Sequence, residues 1–199
     1  FQLFQGFFKI LTGKQTFEGN LALYIILATI PAIVAGFLLS SGGMDSLRTI
    51  VVVGWMSIIY GILLFLIDRF APSTQTLQDM TWKKAFLVGC AQALALIPGT
   101  SRSGACMTMA RLLGFSRLDS ARFAFLLSVP AILGAASLTG YKMQAAGQSF
   151  LTQEMMVGVG ISAVSGIIAI RFMMTWLQKS SFTPFVIYRL ILGIILLVC

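Results

Sequence analysis

The chain has 199 residues, of which 58% are hydrophobic and 10% charged, and it contains no histidine. A soluble domain carries about a quarter charged residues, so this composition excludes a soluble enzyme and a secreted disulfide scaffold. The net charge of +8 reads as loop topology and not as nucleic-acid binding, because the basic residues mostly lie between apolar runs about 20 residues long, each able to cross a membrane as a helix.

Residues 1–18 alternate aromatics with Lys9 and Lys14, as at the end of a helix followed by a loop. The chain opens on Phe1 with no cleavable signal pattern, and the expectation is an N-terminus that has been cut. The first clear span covers 20–41, with Pro31 tolerated inside a bundle. A short Gly-rich loop at 42–48 leads to a second span over 49–67, which Asp68, Arg69 and Pro72 end. A polar loop at 73–78 follows, and Asp79 or Thr81 is placed to cap the next helix.

The next segment is different. Residues 85–97 are apolar, but as a helix they reach only about 20 Å, less than the hydrocarbon thickness. Pro98-Gly99 stops them, and a second short stretch covers 105–113. Three further spans are expected at 123–139, 155–177 and 182–199, with Arg117, Asp119 and Arg122 in a solvated loop before the first of them. The expected fold is all-α, one transmembrane domain over 1–199.

Charge decides how the short pair is arranged. If 81–114 is a re-entrant hairpin, one side of the membrane collects Lys9, Lys14, Arg69, Lys83, Lys84, Arg111, Arg117, Arg122 and Lys179, against Arg48 and Lys142 on the other. If it crosses once, the sides come out nearly even. Only the hairpin gives the excess of Lys and Arg expected on the cytoplasmic side. The three cysteines, Cys90, Cys106 and Cys199, form no CxxC pair and read as small apolar residues.

The break reads Ile97-Pro98-Gly99-Thr100-Ser101-Arg102-Ser103-Gly104. Irregular backbone at membrane depth is tolerated where protein buries it or where it lines a wet cavity. An arginine there costs roughly 2.5–3.5 kcal/mol and needs an anionic partner. The hairpin contains no Asp or Glu, so the natural partner is an anion from outside. Ser103 and Gly104 are expected just before the second half-helix, whose first N–H groups and dipole favour phosphate. Arg102 supplies a fork of donors, Thr100, Ser101 and Ser103 supply hydroxyls, and Gly99 and Gly104 admit a ligand close to the backbone. A Pro-Gly turn with a serine cap and a snorkelling arginine explains the same residue types, and both readings stay open at this point. Gln92 is placed to bond a lipid phosphate or a neighbouring helix. Arg189, within the last span, reads as snorkelling or paired, not catalytic.

The segment 89–104 resembles the second signature of the bacterial undecaprenyl-diphosphatases, the bacitracin-resistance family, whose pattern is P-G-x-S-R-S-x-x-T. Pro98, Gly99, Ser101, Arg102 and Ser103 match it, and Cys106 stands where the final Thr is expected. The similarity continues through 121–130 and 185–189. It implies a helical membrane bundle in the bacterial plasma membrane, hydrolysis of undecaprenyl diphosphate to the monophosphate, and recycling of the lipid carrier for the cell wall. It further implies Arg102, Ser101 and Ser103 as the catalytic group, with Gly99, Thr100, Gly104 and Gln92 binding the substrate.

The resemblance also implies Mg²⁺ or Ca²⁺, with metal ligands outside this segment, because the family's first signature, with its glutamates, serine and histidine, has no match here. A polyprenyl diphosphate in the bilayer is the expected partner, and a homodimer is left open. The alternative is a transporter or lipid flippase, since broken helices and midplane anion sites are shared with transporters. Ser101 lacks a visible base, so phosphate binding suits it better than nucleophilic attack.

Overall fold

A computed structural model describes residues 17–39, 47–146 and 152–198. Expectations for 1–16, most of the Gly-rich loop and Cys199 lie outside the described residues. Among these residues there are seven α-helices: α1 (Phe17–Leu39), α2 (Ile50–Phe70), α3 (Trp82–Leu94), α4 (Arg102–Leu112), α5 (Arg117–Ala145), α6 (Gln153–Leu177) and α7 (Thr183–Val198). Four of them, α1, α2, α5 and α6, are long and apolar enough to cross a bilayer, and α7 is a shorter apolar helix. The protein is an all-α, multi-pass membrane bundle.

Local chemistry sets the helix starts. The Thr49 hydroxyl accepts the Val52 N–H, Thr81 that of Lys84 and Thr152 that of Met155, each satisfying an otherwise orphaned first-turn donor. Thr81, not Asp79, is therefore the cap of α3. Asp79 instead closes a 3₁₀ turn (Leu77–Asp79), accepting from the Thr76 N–H and hydroxyl. These two bonds hold its exposed carboxyl below the usual carboxylate range.

Several boundaries differ from expectation, two of them at charged residues. α2 runs through Asp68 and Arg69 to Phe70, because the Asp68 carboxylate is paired with Arg111 and Arg117 of the neighbouring helices and Arg69 falls in the last turn, where a cation suits the helix dipole. α5 begins at Arg117 instead of residue 123 and extends to Ala145. Ser116 caps it by accepting the Asp119 N–H at 3.1 Å, while its hydroxyl donates to the Asp119 carboxylate at 2.9 Å. The charged stretch read as a loop is thus a first helical turn, with Asp119 suited to the helix dipole and paired to Arg122 at 3.3 Å.

Helices α3 and α4 are a re-entrant hairpin whose two ends sit at one level. The Thr74 and Gln75 N–H groups donate to the Gly114 carbonyl at 3.1 and 3.0 Å, and the Ser116 N–H donates to Gln75 at 3.0 Å. Lys84 Nζ donates to the Asp79 carbonyl at 2.8 Å and lies 5.4 Å from the centre of the Phe115 ring, joining entry to exit.

The same basic end is locked to its neighbours by Asp68. Its carboxylate accepts from Arg111 Nε at 3.3 Å, Arg117 Nε at 2.7 Å and the Phe182 N–H at 3.3 Å. One carboxylate therefore ties together α2, the hairpin's exit, α5 and the start of α7. Ala28 of α1 packs against Gly89 of α3, and Phe115, Phe123, Leu127 and Phe182 fill the core beneath.

Candidate functional site at the hairpin tip

Depth follows from helix rise. The tip meets α2 at Ser57, whose hydroxyl donates to the Gly99 carbonyl at 3.3 Å. Ser57 lies 11 residues from Asp68, so the tip stands about 16 Å above the basic end, near the middle of a ~30 Å core. Gly99 is required there twice over. Its φ is +88°, and a Cβ would collide with the Val53 carbonyl.

Ser101 carries the second unusual conformation. At φ +66° it is the lone non-glycine with positive φ among the described residues, a state that costs on the order of 1–3 kcal/mol. Its hydroxyl oxygen accepts the Gly104 N–H at 3.2 Å and caps α4. The half-helix therefore starts at Arg102, earlier than expected, and Ser103 and Gly104 fall inside its first turn. The N–H groups of Arg102 and Ser103 precede the first intrahelical bond and have no partner among the described residues.

Arg189 of α7 is the residue that sequence reasoning missed. It is 9% exposed, so it does not snorkel, and among the described residues no carboxylate pairs with it. Its Nη2 donates to the Gly99 carbonyl at 2.8 Å and to Met56 at 3.5 Å, and its Nε donates to Ser57 at 3.4 Å. Its Nη1 has no acceptor among the described residues and lies beside Gly104, where a Cβ would come within 2.8 Å. The available signal was an arginine seven residues into a span whose helix carries no acid.

These groups border a cavity of about 430 Å³. Ser57, Gly99, Ser101, Ser103, Gly104 and Arg189 supply its polar lining together with Tyr188, and Val53, Leu64, Met107, Met173, Phe182, Phe185 and Leu192 its apolar walls. Of the residues singled out from sequence, Gly99, Ser101, Ser103 and Gly104 come together on this cavity. Arg102, Thr100 and Gln92 do not line it. The Arg102 side chain is half-buried, with no ion pair or hydrogen bond among the described residues. Thr100 Oγ1 and both amide atoms of Gln92 are buried without a hydrogen-bond partner among the described residues. Cys106 is fully buried in α4.

The arrangement has the chemistry to bind an anion: the Arg189 guanidinium keeps one edge without an acceptor among the described residues, and the Ser103 hydroxyl lines the same cavity. Among the described residues no carboxylate lines the cavity, and no group of three His, Cys, Asp or Glu could hold a metal. A hard divalent cation needs such oxygens, so these residues do not fit Mg²⁺ or Ca²⁺ as ligands.

A second cavity of about 530 Å³ lies at the basic end, among Asp68, Arg69, Arg111, Ser116, Arg117 and Gln178. There the buried Arg111 and the nearby Arg117 are committed to Asp68.

Comparison with known proteins identifies the family. Residues 1–195 match the family described as BacA, bacitracin resistance protein BacA. The undecaprenyl-diphosphatase of Saccharophagus degradans is 44% identical over 191 residues, covering 96% of this chain and 72% of that protein. The undecaprenyl-diphosphatase of Alteromonas mediterranea is 42% identical over 97% of this chain and 71% of its own length. That of Roseobacter denitrificans is 40% identical over 97% and 73%.

Proposed function

The chain belongs to the bacitracin resistance protein BacA family, and we propose that the cavity at the hairpin tip is where its substrate's diphosphate is held. The activity is hydrolysis of undecaprenyl diphosphate, which recycles the lipid carrier for the cell wall and confers bacitracin resistance. The observation that carries the assignment is Arg189, buried at mid-membrane depth with no carboxylate partner among the described residues and donating to the broken loop's own Gly99 carbonyl. A fixed charge in that position is stabilised by a ligand that brings negative charge to it.

The reaction adds water to the terminal phosphorus and breaks its bond to the bridging oxygen, so that the lipid monophosphate leaves. Catalysis of this kind is mostly positioning and neutralisation of charge. In the proposal Arg189 Nη1, the N–H groups of Arg102 and Ser103 and the Ser103 hydroxyl take the phosphate oxygens. Ser101 holds the turn, since its oxygen already accepts the Gly104 N–H. Arg102, unpaired among the described residues, is the second cation for the diphosphate. None of the described residues bonded to Ser101 or Ser103 is a base, so both serve binding and neither is assigned as the nucleophile. The residues on this cavity do not fit a divalent cation, and the chemistry assigned to them is anion binding alone. We place the protein in the bacterial plasma membrane with the basic end cytoplasmic.

The test is phosphate release from undecaprenyl diphosphate by the purified full protein. Arg102→Ala and Arg189→Ala are each expected to lower turnover at least 100-fold, about 3 kcal/mol of lost transition-state stabilisation. Undiminished turnover in both variants overturns the assignment. Lipid flipping without phosphate release would favour a transporter.

A further inference from the structure

The cavity at the basic end is cationic and stands apart from the tip. Helices α2 and α6 finish there at Phe70 and Leu177, and α5 starts there at Arg117. The space of about 530 Å³ between them is lined by Arg69, Arg111 and Arg117, with Asp68 as its one acid. Three arginines against one aspartate leave it with two net positive charges. By helix rise it lies about 16 Å from Ser57 and the tip, so it is no part of the site assigned to the diphosphate.

The arginines differ in how many donors they have left. Arg111 is buried, and its three nitrogens all donate, to the Asp68 carboxylate and to carbonyls of Asp68, Ala71, Pro72 and Phe115. Arg117 commits Nε and Nη2 to Asp68 and keeps Nη1 without an acceptor among the described residues. Arg69 is exposed, and no hydrogen bond or ion pair holds its guanidinium among the described residues. The N–H groups of Arg117 and Leu118 precede the first intrahelical bond of α5 and are likewise uncommitted among the described residues. Asp119, in the same turn, adds little negative charge, because Ser116 and Arg122 occupy its carboxylate.

The surroundings of the cavity indicate which anion it takes. Phe70 and Trp176, next in sequence to Arg69 and Leu177, are exposed apolar side chains on the same two helix ends, and tryptophan favours the bilayer interface. Cationic donors and lipid-facing rings therefore meet at one level, where phospholipid phosphates lie. On the cytoplasmic side, basic pockets between spans attract anionic headgroups. We infer that this cavity binds the phosphodiester of an anionic glycerophospholipid from the cytoplasmic leaflet, with Arg69 and Arg117 Nη1 as its cationic donors. The bound headgroup offsets the positive charge that Asp68 alone leaves on three arginines, and so braces α2, α5 and α6 where the hairpin exits.

Lipid binding to the full protein tests this. Titration in detergent micelles with dioleoyl phosphatidylglycerol, read by native mass spectrometry, gives a Kd, and dioleoyl phosphatidylcholine is the comparison of zero net charge. The anionic lipid is expected to bind more tightly. Arg69→Gln is expected to raise its Kd about five-fold, the effect of one interfacial cation. Ser73→Trp, which fills the cavity without changing its charge, is expected to weaken binding likewise. Lys83→Gln removes an exposed cation from the same face outside the cavity and is expected to leave the Kd unchanged. Equal affinity for the two lipids, an unchanged Kd in both cavity variants, or an equal rise in Lys83→Gln overturns the site. Displacement of phosphatidylglycerol by inorganic phosphate at matched ionic strength marks a site for free phosphate and overturns the assignment to lipid.

Discussion

At the scale of single residues, Arg189 shows what a buried charge does when no acid accompanies it. Two of its nitrogens are occupied by carbonyls of α2 and the broken loop, so it both shapes the turn and points a free edge at the cavity. Lysine cannot do both, having a single ammonium where arginine has a rigid fork. Arg189→Lys is accordingly expected to remain at least ten-fold below the unmodified enzyme in turnover. Gly99→Ala combines a left-handed φ with a collision against Val53 and is expected to lower stability by about 2–3 kcal/mol, read as a fall in melting temperature. Thr100 behaves oppositely. Its buried hydroxyl has no partner among the described residues, so Thr100→Val is expected to keep or raise the melting temperature, since a buried polar atom without a bond costs free energy. That Gly99, Ser101, Ser103 and Gly104 gather on one cavity was legible from their types and spacing. That Arg189 joins them was not, because the contact spans 90 positions and depends on how α7 is laid against α2.

At the scale of elements, the hairpin was legible from two quantities, the short apolar run before Pro98 and the one-sided distribution of Lys and Arg. Both report on the membrane as solvent and need no knowledge of packing. The boundaries were less so. Capping by Ser116 moved the start of α5 to Arg117, and Asp68 did not stop α2, since a carboxylate with three donors is at ease inside a helix. Which arginines would meet Asp68 depends on the hairpin's return, not on local pattern. This lock gives the element-scale prediction. Asp68→Asn leaves the Arg111 guanidinium buried with its carboxylate partner neutralised, at a cost on the order of 3 kcal/mol. Thermal unfolding in detergent checks it, and the exit of the hairpin is expected to exchange its amide hydrogens faster than the tip.

For the whole molecule, the chain leaves a broken half-helix pair dipping from the basic face, with full spans around it. Most residues of α6 are exposed, as suits a helix whose environment is lipid and not water, where exposed apolar side chains carry no penalty. The topology predicts that a cysteine at Gln78 is labelled by an impermeant thiol reagent only from the cytoplasmic side, and one at Lys142 only from the opposite side. Labelling of both from one side would contradict the hairpin. The central claim, that the diphosphate sits at the tip and not among the arginines of the basic end, is tested most directly by photo-crosslinking. With an undecaprenyl diphosphate analogue bearing a photoreactive group on its terminal phosphate, adducts mapped by mass spectrometry are predicted within residues 97–104 and on α7 near Arg189. Adducts confined to the loops around Asp68, Arg111 and Arg117 would contradict the account.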